Sequence, residues 1–293
     1  MPSFAARFAA FVLRTTGVYR KLYSGGPDFH KHQAKALSVP SEPSAKLQAR
    51  LSITRREFRG RPVWDIAPKD RAPSLTMLYW HGGGYVYPAT PGHWDFAAHM
   101  ASVHGMRMIV PLYPLAPMAE VGEITEFALD FYKDLIGRAD TGRFVMGGDS
   151  AGGGLAAATA IAARDAGLPM PERLVLICPW LDASPSHPDQ PAIERRDAIL
   201  TIRGIREAGE MYAGAAGVRD PRVSPIHADW SGLPPILAFG GSDDILVVDA
   251  RALEAKVPSL NYVEGSGLMH DWPIFSFPES RKAQAQMAAF ASG

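Results

Sequence analysis

Arg143-Phe144-Val145-Met146-Gly147-Gly148-Asp149-Ser150-Ala151-Gly152-Gly153 passes from a short apolar run into an alanine-rich stretch that continues to Ala166. That change of rhythm predicts a buried strand, a sharp turn at the serine and then a helix. A serine hydroxyl is a weak nucleophile at neutral pH. Presenting it on a strand-to-helix turn exposes its oxygen, and the small residues Gly148 and Gly152 let the backbone bend that tightly. In a chain with 28 glycines the string G-x-S-x-G carries little weight alone, and its meaning comes from the strand and helix on either side.

Upstream, Leu75-Thr76-Met77-Leu78-Tyr79-Trp80 reads as another short buried strand and runs directly into His81-Gly82-Gly83-Gly84-Tyr85. Attack on an ester carbonyl puts negative charge on oxygen. Backbone N–H groups fixed around that point stabilise it without reorganising, and glycines allow the backbone to come close enough. H-G-G-G accompanies the G-x-S-x-G elbow in lipases and esterases, where the residue after the nucleophile, here Ala151, adds a further N–H. An isolated glycine run would read as a flexible loop.

With both motifs in view the chain resembles the hormone-sensitive-lipase-like (bacterial family IV) esterases of the α/β-hydrolase superfamily. Further matching stretches are Tyr113-Pro114-Leu115-Ala116-Pro117, Pro179-Trp180-Leu181-Asp182, Asp220-Pro221-Arg222-Val223-Ser224-Pro225, and Leu233 to Leu237 leading into Gly241-Ser242-Asp243-Asp244-Ile245-Leu246. The resemblance implies an α/β-hydrolase fold: a mostly parallel central sheet flanked by helices and covered by a helical cap. It places oxyanion donors on the amides of Gly83, Gly84 and Ala151. The chain departs from the family's Y-R-L-A-P-E segment, having Pro114 and Met118 where arginine and glutamate are usual.

Chain order in this fold is nucleophile, acid, histidine, which leaves His187, His227 and His270 as candidate bases beyond Ser150. His270 follows the strand-like Leu260 to Glu264 and a Gly265-Ser266-Gly267 turn, as a base at the carboxyl edge of a sheet should. His187 and His227 read as solvated loop histidines. The acid must fix the imidazole tautomer and stabilise the imidazolium. Asp243 and Asp244 both stand past the strand-like Pro235 to Gly240. The family's G-S-D-E-x-L segment favours Asp243, while Asp244 and, more remotely, Asp249 stay open. His81 is expected to fix its loop by hydrogen bonding, together with Gly82.

Hydrophobic residues make up 47% of the 293, and 30 basic residues balance 30 acidic ones, the profile of a globular protein with a large core. No basic stripe suits nucleic acid. No H-E-x-x-H pair or matched cysteine set suits a metal, and no cofactor is expected. Cys178 is the only cysteine and lies in an apolar run, which marks it as a core residue. Apolar strand runs around Thr76, Arg107 to Leu112, Phe144, Leu174, Ile236 and Tyr262 alternate with helical ones, the signature of a parallel sheet with helices on both faces. The strand rhythm breaks between Ser184 and Val218. The division expected is therefore a cap segment over 1–50, a core over 51–184 and 219–293, and a cap insertion over 185–218.

Phe4, Phe8, Phe11 and Val12 share one face of a predicted N-terminal amphipathic helix, with Arg7 and Arg14 elsewhere. The resemblance makes this a lid, and a surface anchor or targeting segment is the alternative. No apolar run reaches a membrane span, and a cytoplasmic address is expected. The function expected is a serine carboxylesterase acting on small esters with short acyl chains, or lactones, through Ser150, Asp243 and His270. A serine amidase or deacetylase, or a non-catalytic ligand-binding member of the fold, is the rival. Expected partners are a small-molecule ester and water, with a homodimer left open. Tyr85, Tyr87 and Trp180 are candidate pocket walls, as are Trp94, Trp230 and Trp272. Activity should climb as His270 loses its proton, near about 6.5 unless its surroundings move it.

Overall fold

The computed structural model describes residues 1–138 and 140–293. Eight strands form one sheet: β1 (Ser52–Phe58), β2 (Arg61–Ala67), β3 (Leu75–Trp80), β4 (Met106–Pro111), β5 (Phe144–Asp149), β6 (Leu174–Ile177), β7 (Ile236–Asp243) and β8 (Asn261–Met269). Their order is β1-β2-β4-β3-β5-β6-β7-β8. Only β2 opposes its neighbours, and every pairing from β4 across to β8 is parallel. All six residues of β3 and of β5 are buried. Strands covered on both faces need unbroken apolar runs, which is why these segments lack alternation in the sequence.

The helices are α1 (Phe4–Thr16), α2 (Val18–Leu22), α3 (Pro27–Leu37), α4 (Ala45–Arg50), α5 (Pro91–His104), α6 (Val121–Ile136), α7 (Ala151–Asp165), α8 (Gln190–Glu194), α9 (Ile202–Ala213), α10 (Val247–Lys256) and α11 (Pro278–Ser292). In α6 the buried Val121, Ile124, Phe127, Ala128, Phe131 and Leu135 fall at the three- and four-residue spacing that lays one face on a sheet. Helix α7 is two-thirds alanine and glycine and is buried along most of its length, because it packs in the centre of the fold directly behind β5. The expected break at 185–218 contains α8 and α9.

One local expectation changes. The turn expected at Gly265-Ser266-Gly267 is part of β8, which continues to Met269. Gly267 takes a positive φ of 69°, and its amide donates to Ser242 Oγ at 2.7 Å, so a register shift between Gly241 and Asp243 absorbs the glycines without ending the strand. Helix α1 packs through small residues. Ala6 and Ala10 are its buried residues, while Phe4, Phe8, Phe11 and Val12 face outward. Small side chains let the helix axis approach the protein closely, and this prevails over the larger apolar stripe. No helix among the described residues is long and apolar enough to cross a membrane.

Candidate active site

Ser150 sits between β5 and α7 with φ 53° and ψ −121°, a conformation that costs free energy for any residue with a side chain and persists only where its surroundings enforce it. Here they do: its amide donates to the Ile177 carbonyl at 2.8 Å, and its carbonyl accepts from the amides of Trp180 at 2.9 Å and Gly154 at 3.1 Å. Gly152 is required by contact, because a Cβ there would run into the Trp80 carbonyl.

The loop after β8 brings His270 to the serine. His270 Nε2 lies 3.0 Å from Ser150 Oγ, and its Nδ1 lies 2.8 Å from Asp244 Oδ2. All three residues are buried. Asp244 thus occupies the place expected for Asp243. Asp243 is the last residue of β7, paired in register with Met269. Its side chain instead accepts from exposed Arg196 Nε at 3.0 Å. The next residue lies past the strand end, where Asp244 Oδ1 accepts from the Leu246 amide at 2.8 Å and leaves Oδ2 for the imidazole. Successive side chains point oppositely along a strand, so a one-residue offset changes which carboxylate meets the ring.

A second carboxylate also reaches His270. Asp271 Oδ2 is 3.2 Å from the same Nε2 that meets Ser150, and Asp271 holds the left-handed conformation, φ 54°. Burial pulls the His270 pKa down, yet the charges of Asp244 and Asp271 outweigh it and hold the imidazole well above its ordinary 6.5. Asp271 itself is pushed up to about 7, by burial first and then by Asp149 and Asp244, against the pull of His270.

Beneath the glycine loop lies a network that motif reading did not reveal. Asp149, the residue before the nucleophile, accepts from the Tyr79 hydroxyl, from the Gly82 amide at 3.0 Å and from His93 Nε2 at 3.0 Å. His93 Nδ1 accepts from the Thr90 amide at 2.8 Å, which assigns the ring proton to Nε2 in the neutral tautomer. Burial would raise the Asp149 carboxyl, but His93 and the Tyr79 hydroxyl keep it below its usual range. The one available signal was its place inside G-x-S-x-G. His81 stacks on Tyr113 with ring centres 4.4 Å apart, and its Nδ1 lies 2.7 Å from the Gly82 carbonyl. Burial, with His93 nearby, pushes its pKa down to about 3. Its ring is therefore neutral and packed within the loop. Gly83 and Gly84 both take positive φ, 118° and 63°, and a Cβ on Gly83 would meet the Tyr87 carbonyl at 2.5 Å. Ala151 opens α7, where the first amides of a helix lack internal partners.

Asp197 ties the segment before α9 to the loop that follows β7. It accepts from the amides of Ile199 at 2.8 Å, Leu200 at 2.9 Å and Ile245 at 2.9 Å. Burial, then Asp244, push its carboxyl up to about 7. Asp249 accepts from the amides of Leu181 and Asp182 at 2.8 and 2.9 Å, away from His270.

A cavity of about 500 Å³ opens beside the site, walled by Gly83, His270 and Asp271 on one side and by Tyr19, Leu22, Tyr23, Val39 and Pro40 of the N-terminal segment on the other. Tyr87, Trp94, Ile199, Ile274 and Phe275 also line it. Tyr85 and Trp180, expected as walls, are packing residues. Tyr85 stacks on Tyr212 at 3.6 Å, and Trp180 Nε1 donates to the Asp182 carbonyl at 2.9 Å. Trp230 and Trp272 likewise spend their indole N–H on backbone carbonyls. His187 and His227 are exposed or partly so, each 3.9 Å from a carboxylate and remote from Ser150. Cys178, His270 and Asp271 bring three ligand-type atoms within 4.8 Å of one another. They suit a resident metal poorly, because His270 uses both nitrogens within the site and burial, with Asp244 and Asp271, pushes the Cys178 thiol up, away from the thiolate that metals take.

A family profile described as alpha/beta hydrolase fold, Abhydrolase_3, matches residues 77–273. The chain is 36% identical over 247 residues to LipR of Mycobacterium tuberculosis, covering 82% of this chain and 80% of that one. To an acetyl-hydrolase of Streptomyces hygroscopicus it is 33% identical over 228 residues, 75% and 76% of the two chains. A crystal structure of an esterase from the bacterial hormone-sensitive lipase family superposes with a TM-score of 0.84 at 26% identity, over 100% of this chain and 99% of that one. This chain belongs to the hormone-sensitive-lipase-like esterases of the α/β-hydrolase superfamily and is a carboxylic ester hydrolase.

Proposed function

We propose that the chain hydrolyses small carboxylic esters with short acyl chains, or lactones, through an acyl-enzyme on Ser150, with His270 as base and Asp244 as the acid that orients it. The observation that carries this reading is the unbroken buried line from Asp244 Oδ2 through both ring nitrogens of His270 to Ser150 Oγ. With Nδ1–H donating to Asp244, Nε2 accepts the Ser150 proton as Oγ bonds to the acyl carbon. Charge then develops on the carbonyl oxygen, where the amides of Gly83, Gly84 and Ala151 are the proposed donors. The imidazolium next protonates the departing alkoxide, or the ring oxygen of an opening lactone. Water repeats the sequence on the acyl-enzyme, which releases the acid and restores the serine.

Residues 1–50 and 185–218 act in this reading as the two cap pieces, since Tyr19, Leu22, Tyr23, Val39 and Pro40 from the first and Ile199 from the second wall the cavity. Its size lies within the range of small-ligand sites. A panel of p-nitrophenyl esters of graded chain length, run beside lactones and anilides, tests the proposal. Turnover should favour short acyl esters, anilides should be poor substrates, and an organophosphate should label Ser150 one to one. Anilide turnover equal to that of the esters, or labelling at any other residue, would overturn it.

A further inference from the structure

Helix α1 turns its aromatic face away from the molecule. Phe4, Phe8 and Phe11 are 74%, 57% and 59% exposed, with Val12 and, on α2, Val18 beside them in the sequence and also exposed. Helical spacing gathers the α1 side chains into one stripe, and the Phe4 and Phe8 rings stack with centres 6.0 Å apart. The helix is nonetheless well anchored. Ser3 caps it and its hydroxyl donates to Glu279 of α11 at 2.9 Å, and the Arg14 guanidinium donates to the Arg196 carbonyl at 3.0 Å. A contiguous apolar stripe on a docked, capped helix marks a surface that meets something.

Charge identifies what. In a chain of balanced charge, the first 27 residues hold Arg7, Arg14, Arg20 and Lys21 and no acid. Arg7, Arg14 and Lys21 are exposed. A second copy seated on this stripe across a two-fold axis would set these cations against their own counterparts with no acid in the segment to offset them. Spanning a bilayer is excluded, because 13 residues of helix measure about 20 Å against a hydrocarbon core of about 30 Å. Phenylalanines on one face and arginines around it are instead the chemistry of a helix lying in a negatively charged lipid interface.

We propose that the Phe4–Phe8–Phe11 face of α1 is an interfacial docking surface for anionic lipid bilayers. The helix lies in the headgroup plane and the cap rests on the membrane. Helix α1 passes through Gly17 straight into α2, whose Tyr19 and Leu22, with the following Tyr23, wall the cavity. Docking therefore sets the cap wall against the lipid, from which apolar esters partition.

The test is sedimentation of the full chain with vesicles of phosphatidylcholine alone or containing about one-third phosphatidylserine. Binding is expected to the anionic vesicles and to fall in high salt. The triple variant Phe4→Ser, Phe8→Ser, Phe11→Ser should bind at least about tenfold more weakly, while keeping its circular dichroism and its turnover of soluble p-nitrophenyl acetate. Arg7→Gln should weaken binding by about fivefold. Protein left in the supernatant with both vesicle types would overturn the proposal, as would equal binding by the triple variant. A dimer in analytical ultracentrifugation that the triple variant abolishes, without vesicle binding, would assign the face to a second copy and also overturn it.

Discussion

The carboxyl edge of the sheet and the N-terminal helix α1 obey different packing logic within one chain. At the sheet edge nearly every position is fixed several times over: Asp149 holds three partners, Asp197 three amides, and His270 lies against two carboxylates and a serine. In α1 the contact is made by alanines, and the largest side chains are left outside. Buried polar groups must be paired or they are costly, so that edge admits few arrangements. A helix of small residues docked on a surface meets no such demand, and its outer face is free to serve another purpose.

Substitution at the edge should have the largest consequences. Ser150→Ala and His270→Ala should each lower turnover by about 10⁴-fold, and the double variant should be scarcely slower than either, because the two act as a unit. Losses that multiply in single-turnover kinetics would show that they do not. The neighbouring acids sharpen the contrast within one turn. Asp244→Asn should reduce kcat by about 10³- to 10⁴-fold, as expected when a buried partner of the base loses its charge. Asp243→Asn should change it less than about threefold, since an ion pair with an exposed arginine contributes little. Equal losses would mean that the offset seen at the strand end has no bearing on the chemistry.

Asp271 should act on pH dependence. Carboxylates on His270 favour imidazolium, and the base functions only after losing that proton, so kcat/KM should rise with its midpoint above the ordinary 6.5. Asp271→Asn keeps a side chain tolerant of the left-handed backbone and removes one of the two raising charges. The midpoint should therefore move down, whereas an unchanged profile would leave Asp244 as the sole influence. In the N-terminal segment the contrast is read in stability, where two phenylalanines can be set against each other. Phe29 of α3 is fully buried, and Phe29→Ala should cost about 3–5 kcal/mol in chemical denaturation. Phe8→Ser should stay within about 0.5 kcal/mol.

Much of this was legible beforehand because it is local. β3 and β5 announced themselves as unbroken apolar runs, and the two glycine motifs at their ends named the serine and the loop facing it. Chain order and a strand-like lead-in pointed to His270, whose Nε2 lies 3.0 Å from Ser150 Oγ. The carboxylate beside the ring is Asp244 and not Asp243, because a register shift between Gly241 and Asp243 and the alternation of strand side chains settle which aspartate faces it, and neither is written in a D-D pair. Tyr85 and Trp180 were misjudged for a related reason: an aromatic ring beside a motif can face the cavity or the core, and composition does not say which. The links from Asp149 to Gly82 and His93 cross 67 and 56 residues of sequence and follow no short pattern. Periodicity found the stripe on α1 correctly, yet the rule that the apolar face turns inward failed where alanines offered a closer fit.

Asp149 has one more implication, for anyone redesigning this enzyme. The first x of G-x-S-x-G is written as a wildcard, yet here its carboxylate clamps the strand beneath the nucleophile to the glycine loop opposite. A library randomised at that codon should return aspartate almost alone, and a glycine loop transplanted from a relative should function only if the residue before the serine travels with it. The two motifs are, in engineering terms, a single interchangeable part.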